Sequence, residues 1–268
     1  RGVASGIINA GGSFGQFVFA PIIQKLIQLI GWMGAMWSMA AVTLLAIPLL
    51  NRLTSDTHAP AKAPDPEGGL KKAVSDALHN PSYLLLHLGF FTCGFHIAFL
   101  VTHLPTEVGL CGLTPNVASW SLAIIGLANI AGSLYAGSCI NAYRSKYVLA
   151  TMYGSRAVLI ALYLAAPKTE WTFYAFAVGL GFTWLATVPP TAALVGKLFG
   201  IRYLATLFGL TLLSHQVGGF LGAYLGGLVF EANHDYQWMW WADIALSAMA
   251  ALVNLPIKEA PIVKVQAA

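Results

Sequence analysis

Residues 203–230, YLATLFGLTLLSHQVGGFLGAYLGGLVF, form a membrane-length apolar run with a series of glycines and one embedded polar pair, His215-Gln216. Gly218, Gly219, Gly222, Gly226 and Gly227 would each cost a water-exposed helix about 1 kcal/mol relative to Ala. In lipid the same small-residue spacing lets two helix backbones approach closely. His215, Gly218, Gly222 and Gly226 recur at helical spacing, so the histidine shares the glycine face. A polar side chain there turns toward protein or a cavity rather than toward lipid. The stretch predicts a helix of an α-helical membrane protein.

The composition agrees. Hydrophobic residues make up 57% of the chain and charged residues only 9%, a balance that a water-covered surface hardly sustains. Apolar runs of membrane-crossing length recur at about 3–29, 32–51, 82–104, 117–140, 147–166, 171–195, 203–230 and 237–257. Their continuity, without alternation, indicates helices and not barrel strands. Cys93, Cys111 and Cys139 have no paired spacing, which argues against a structural metal or a disulfide framework and suggests small apolar packers. The chain starts at Arg1 directly in an apolar run and reads as a piece of a longer protein.

The long polar segment 52–80, with Pro60, Pro64, Pro66 and Gly68-Gly69, reads as a linker between two helical bundles. Its end, Leu70 to Leu78, sets Leu70, Val74, Ala77 and Leu78 on one face and predicts a short surface helix. Basic residues accumulate on the linker side of the spans: Arg52, Lys71, Lys72, Arg144, Lys146, Lys197, Arg202 and Lys258 among them. By the positive-inside rule the linker and the C-terminus are cytoplasmic. The other connections, near Glu107, Glu170 and Glu231, are short and acidic. The net charge of +4 follows from this orientation and implies no nucleic acid.

The first and seventh spans align at a shift of 203 residues, pairing Gly6 with Gly209, Gly15 with Gly218 and Phe17 with Phe220. The second and eighth align at a shift of 208, pairing Trp32 with Trp240 and Ala40 with Ala248. Such a repeat predicts the last two helices of one six-helix unit followed by a complete second unit, both running in the same direction.

The chain resembles the major facilitator superfamily. Ala77-Leu-His-Asn-Pro-Ser-Tyr83 is similar to the start of helix seven in monocarboxylate and oxalate/formate-type members. Gly137-Ser-Cys-Ile-Asn-Ala-Tyr-Arg-Ser-Lys146 occupies the place of the basic loop between helices eight and nine, with Asn141 where an Asp is usual. The glycine-rich start through Pro21 resembles helix five, and His215 through Gly227 resembles helix eleven. The resemblance implies an all-α membrane fold of two six-helix bundles. Residues 1–51 would be helices five and six, 52–80 the cytoplasmic linker and 81–268 helices seven to twelve. It implies a secondary transporter of a small organic anion in the inner or plasma membrane, without cofactor or metal. The coupling would be to a proton or to exchange of a second anion. A transporter for another solute, a multispan enzyme and a transporter-like receptor are the alternatives; no span carries a close carboxylate pair, an HExxH or a recognisable Ser/His/Asp set.

Ionisable groups at helix centres cost roughly 2.5 to 3.5 kcal/mol on insertion scales, so each needs a partner or a watery cavity. His96, Arg156 and His215 fall roughly 15 to 21 Å from the starts of their helices at 1.5 Å per residue, at the midplane. His215 and Gln216 are candidates for substrate or proton contact. His96 shares a face with Thr92, Phe99 and His103, expected to line the cavity, while His87 points away. Arg156 cannot shed its charge, and an organic anion would supply its missing countercharge. Asn9, Gln16 and Asn129 are neutral candidates for cavity hydrogen bonds. Asp243, on a supporting helix, is expected to be a packing or gating partner. Pro189-Pro190 remove two backbone donors and predict a kink that lets half a helix act as a gate, with Trp184 capping the site.

Overall fold

The computed structural model describes residues 2–45, 47–48 and 69–259, with side chains described from residue 10 onward. Residues 52–68 of the expected linker lie outside the described residues, as does the side chain of Asn9. All regular structure among the described residues is helical. In chain order it comprises α1 (Gly2–Leu44), α2 (Gly69–Leu78), α3 (Pro81–Leu110), α4 (Pro115–Ala142), α5 (Ser145–Ala165), α6 (Glu170–Trp184), a 3₁₀ turn (Leu185–Thr187), α7 (Val188–Phe199), α8 (Leu204–Asn233) and α9 (Gln237–Asn254).

Six of these units are long and apolar enough to cross a membrane: α1 from Ala10, α3, α4, α5, α6 with α7, and α8. The protein is therefore a multi-pass membrane protein. Two differences from the eight expected spans have physical causes. The first two spans run as one helix broken at Gly31, whose φ of 71° and ψ of 172° are non-helical. That left-handed φ favours glycine, and the break falls where the sequence separates the spans. The second difference is α9, which is only 18 residues long and carries Asp243 and Ser247 within it and Gln237 and Asn254 at its ends, lowering its hydropathy.

Helix starts follow local chemistry. Asn80 caps α3 by accepting the Tyr83 N–H at 3.2 Å, with Pro81 at the first helical position where its missing N–H costs nothing. Thr169 caps α6, and Glu170 in the first turn complements the helix dipole. At the end of α5, Lys168 Nζ donates to the carbonyls of Tyr163 (2.5 Å) and Ala166 (3.2 Å), satisfying acceptors that a helix end leaves orphaned. Burial pushes the Lys168 ammonium below its usual range. At the basic end, Glu259 joins two elements: its Oε1 accepts the Lys146 N–H at 2.8 Å and its Oε2 pairs with Lys197 Nζ at 3.0 Å.

Tertiary packing is dominated by close crossings at glycine, as lipid-embedded helices require. On α8, Gly218 lies against the Phe91 carbonyl, Gly222 against the Phe95 carbonyl and Gly226 against the His103 ring. On α3, Gly94 in turn receives the His215 carbonyl. Gly132 of α4 lies against the Phe182 carbonyl of α6, and a Cβ at Gly126 would sit 2.7 Å from the Ser13 carbonyl of α1. The glycine face predicted for residues 203–230 is thus the surface by which α8 seats on α3. Tyr83 Oη donates to the Leu207 carbonyl at 2.6 Å and fixes the same pair at the basic end.

Candidate functional site

The two prolines organise the interior. Without N–H groups, Pro189 and Pro190 cannot bond the carbonyls four residues before them, Leu185 and Ala186, and their rings crowd that turn. The chain answers with the 3₁₀ turn at Leu185–Thr187, and α7 begins afresh at Val188. The expected kink therefore appears as a break one turn ahead of the prolines. It exposes the end of α6 inside the bundle, and the carbonyls of Thr183 and Trp184 need donors there.

Arg156 supplies them. It is fully buried on α5, and its Nη2 donates to the Thr183 carbonyl at 2.7 Å and the Trp184 carbonyl at 3.3 Å. A cation at a helix C-terminus also complements the dipole. Its Nη1 lies 3.8 Å from Cys93 Sγ on α3, its guanidinium carbon stands 5.4 Å from the centre of the Tyr153 ring, and Nε has no partner. Asn129 of α4 reaches the same break, where Oδ1 accepts the Leu185 N–H at 3.0 Å and Nδ2 has no partner. Thr187 Oγ1 stands 3.4 Å from Cys93 Sγ and donates to the Trp184 carbonyl at 3.2 Å.

His215 approaches from α8. Its ring centre lies 5.0 Å from that of Phe90, its side chain interacts with Cys93, and its Nδ1 is 3.3 Å from Gln216 Oε1. His215 is half-buried and Gln216 exposed, so this pair borders the open face of the cluster. Sequence-predicted Arg156, Asn129, Trp184 and His215 thus converge at one place, created by Pro189 and Pro190. Asn129→Leu would leave the Leu185 N–H unsatisfied, and we expect a loss of about 1 to 3 kcal/mol in stability, measured by thermal unfolding in detergent.

Other expectations are corrected. His96 does not line a cavity: it is fully buried, with Nδ1 2.7 Å from Asp243 Oδ2 on α9. The rest of its face is likewise packed, since His103 bonds the Ala223 carbonyl (2.9 Å) and Tyr236 Oη (3.1 Å), and Phe99 lies against Trp240. His87 turns to Ser214 Oγ at 2.5 Å. Gln16 is an interhelical tie from α1, donating to the Leu122 carbonyl at 3.0 Å. Trp184 is buried and joins the cluster through its carbonyl, with its ring in the apolar core. Cys93, read from sequence as an apolar packer, is the junction between Arg156, Thr187 and His215. Its position one turn before His96 at the midplane was the available signal.

A family model described as Major Facilitator Superfamily matches residues 1–114 and 109–267. The chain belongs to the major facilitator superfamily. It is 23% identical over 263 residues to the uncharacterized MFS-type transporter YcxA of Bacillus subtilis (strain 168), covering 95% of this chain and 64% of that protein. It is 26% identical over 267 residues to monocarboxylate transporter 13 of Rattus norvegicus, covering 96% of this chain and 60% of the relative. To the Bos taurus protein of the same name it is 24% identical over 264 residues, with 96% and 60% covered. The chain therefore spans 60% to 64% of the length of these relatives. Proteins that this superfamily chain resembles are named transporters, not enzymes.

Proposed function

We propose that the protein is a secondary transporter of a small organic anion of monocarboxylate type, working by alternating access of two bundles about the broken helix. The observation that carries this reading is the charge of Arg156. It is fully buried at midspan, and the ion pairs among the described residues are His96–Asp243 and Lys197–Glu259, neither of which includes it. Carbonyl dipoles of α6 stabilise the guanidinium in part, and a carboxylate entering beside His215 and Gln216 completes its neutralisation with charge-assisted bonds. Resemblance to the monocarboxylate transporters supports the same substrate class.

In this reading residues 1–51 belong to the first bundle, 52–80 are the cytoplasmic linker and 81–268 form the second bundle. The basic end faces the cytoplasm of a cell whose inner or plasma membrane holds the protein. Coupling is to a proton or to exchange of a second anion. The α6–α7 break, with half of its helix on either side, serves as the moving gate.

The test is thermal stabilisation of the complete protein by a panel of short carboxylates and their neutral amides. A carboxylate present at 100 times its Kd should stabilise by about 2.7 kcal/mol, while its amide should not. Equal or absent shifts across the panel overturn the anion reading. Uptake into vesicles that ignores both an imposed pH gradient and internal substrate overturns the coupling.

A further inference from the structure

On α9, Asp243, Ser247 and Asn254 fall at i, i+4 and i+11, so they lie along one side of the helix. All three are fully buried. They line the seam with α3, where Asp243 meets His96, and a Cβ at Gly89 would sit 2.7 Å from Asn254 Nδ2. At the basic end of the seam, the Lys258 N–H donates to Ser82 Oγ at 3.0 Å. Along this line Asp243 Oδ1, Ser247 Oγ and Asn254 Oδ1 all lack partners, as does His96 Nε2. Four polar atoms without a protein partner in one buried seam are unusual, because buried polar groups are normally hydrogen-bonded to protein or ordered water.

We propose that the α3–α9 seam is a proton site with its own access path. The His96–Asp243 pair binds the proton, and Ser247 and Asn254 lead to it from the basic end through ordered water. The 2.7 Å contact between Nδ1 and Oδ2 is a hydrogen-bond distance, so one proton is held between imidazole and carboxylate and no metal ion fits there. With Nε2 also protonated the pair is net neutral, whichever of the two atoms carries the shared proton. A second proton, or loss of the first, changes the charge by one inside the membrane, so it requires a compensating charge nearby. Transfer balances as a relay: an excess proton arriving from bulk through the water chain passes to Ser247 Oγ as the Ser247 hydroxyl proton passes to Asp243 Oδ1, so each water and the hydroxyl end neutral and the pair gains one proton. Asn254 Oδ1 accepts from the water that precedes it.

The surrounding titratable groups set the linkage. On α3, Cys93 lies one turn from His96 and touches Arg156, while His103 and Glu107 lie toward the other end, bonded to Tyr236 and Tyr163 respectively. From α5 come Arg156, Tyr153 and Tyr163, and from α8 comes His215. Use of the seam for coupling rests on the transporter reading: an anion neutralising Arg156, which touches Cys93 one turn along α3 from His96, would favour a second proton on the pair, and by reciprocity the proton would favour the anion.

Infrared difference spectra of the complete protein in lipid nanodiscs, taken through a pH series without substrate, test the site itself. We expect a protonated-carboxyl band that grows on acidification, persists in Glu107→Gln and is absent from Asp243→Asn. Ser247→Ala, which keeps the carboxyl and the fold, should shift that band and slow its hydrogen–deuterium exchange by about tenfold or more. A wild-type protein with no titrating carboxyl band overturns the proton site. A band retained in Asp243→Asn does so too, and wild-type exchange in both Ser247→Ala and Asn254→Leu overturns the path. Because no substrate is present, these outcomes are independent of the carboxylate panel.

Discussion

Gly222→Leu is expected to prevent assembly of the bundle. A Cβ at Gly222 would overlap the carbonyl and Cα of Phe95, and both are backbone atoms that no rotamer change can move. Overpacking that side chains can relieve costs typically 1 to 3 kcal/mol. Here α8 must lift off α3 along its length, separating Gly218 from Phe91 and the His215 carbonyl from Gly94 as well. A loss above about 3 kcal/mol is a large fraction of a net stability of about 5 to 15 kcal/mol, so the variant should elute as aggregate in size-exclusion chromatography. Gly227→Ala is the matched control. Nothing lies within 4 Å of its Cβ position, and Ala is the better helix former by about 1 kcal/mol, so this variant should be at least as stable as the parent. If Gly222→Leu elutes and melts like the parent, the close α3–α8 crossing is wrong.

Arg156→Gln is expected to abolish carboxylate-dependent stabilisation and to lower stability in the absence of ligand. Two effects separate. Removing the fork leaves the Thr183 carbonyl, now bonded at 2.7 Å, without its donor, at about 1 to 3 kcal/mol. Removing the charge takes away what an anion is proposed to bind. Arg156→Lys keeps the charge but not the planar fork, so it should retain a weakened carboxylate response on a destabilised protein. Thermal melts of both variants, with and without carboxylate, distinguish the roles. An undiminished carboxylate shift in Arg156→Gln would reduce the arginine to a cap on α6.

Much of the architecture is legible in the chain. Uninterrupted apolar runs, Asn80-Pro81 before α3, and the glycines of α8 are local signals, and local chemistry determines helix, cap and packing face. The break in the helix after Trp184 is also local, since it follows from two missing donors at Pro189 and Pro190. Arg156 and His215 stand out in the chain because charge and polarity at midspan are costly wherever the helices pack.

Partnership was not legible. His96 and Asp243 are separated by 147 residues, and helical spacing says which residues share a face without saying what that face meets. The face holding His96 therefore suggested a cavity, whereas α9 covers it. Cys93 gave no signal beyond its place one turn before His96, because a small thiol becomes polar in role only when Arg156 and His215 stand beside it. The sequence by itself determined a membrane-spanning helical chain, its glycine-based contacts and the midspan polar residues. Only the tertiary structure decided that Arg156 caps the broken helix and that His96 pairs with Asp243. The physical reason is that hydropathy, capping and small-residue spacing act within one helix, whereas hydrogen bonds and charge pairing depend on distances between helices.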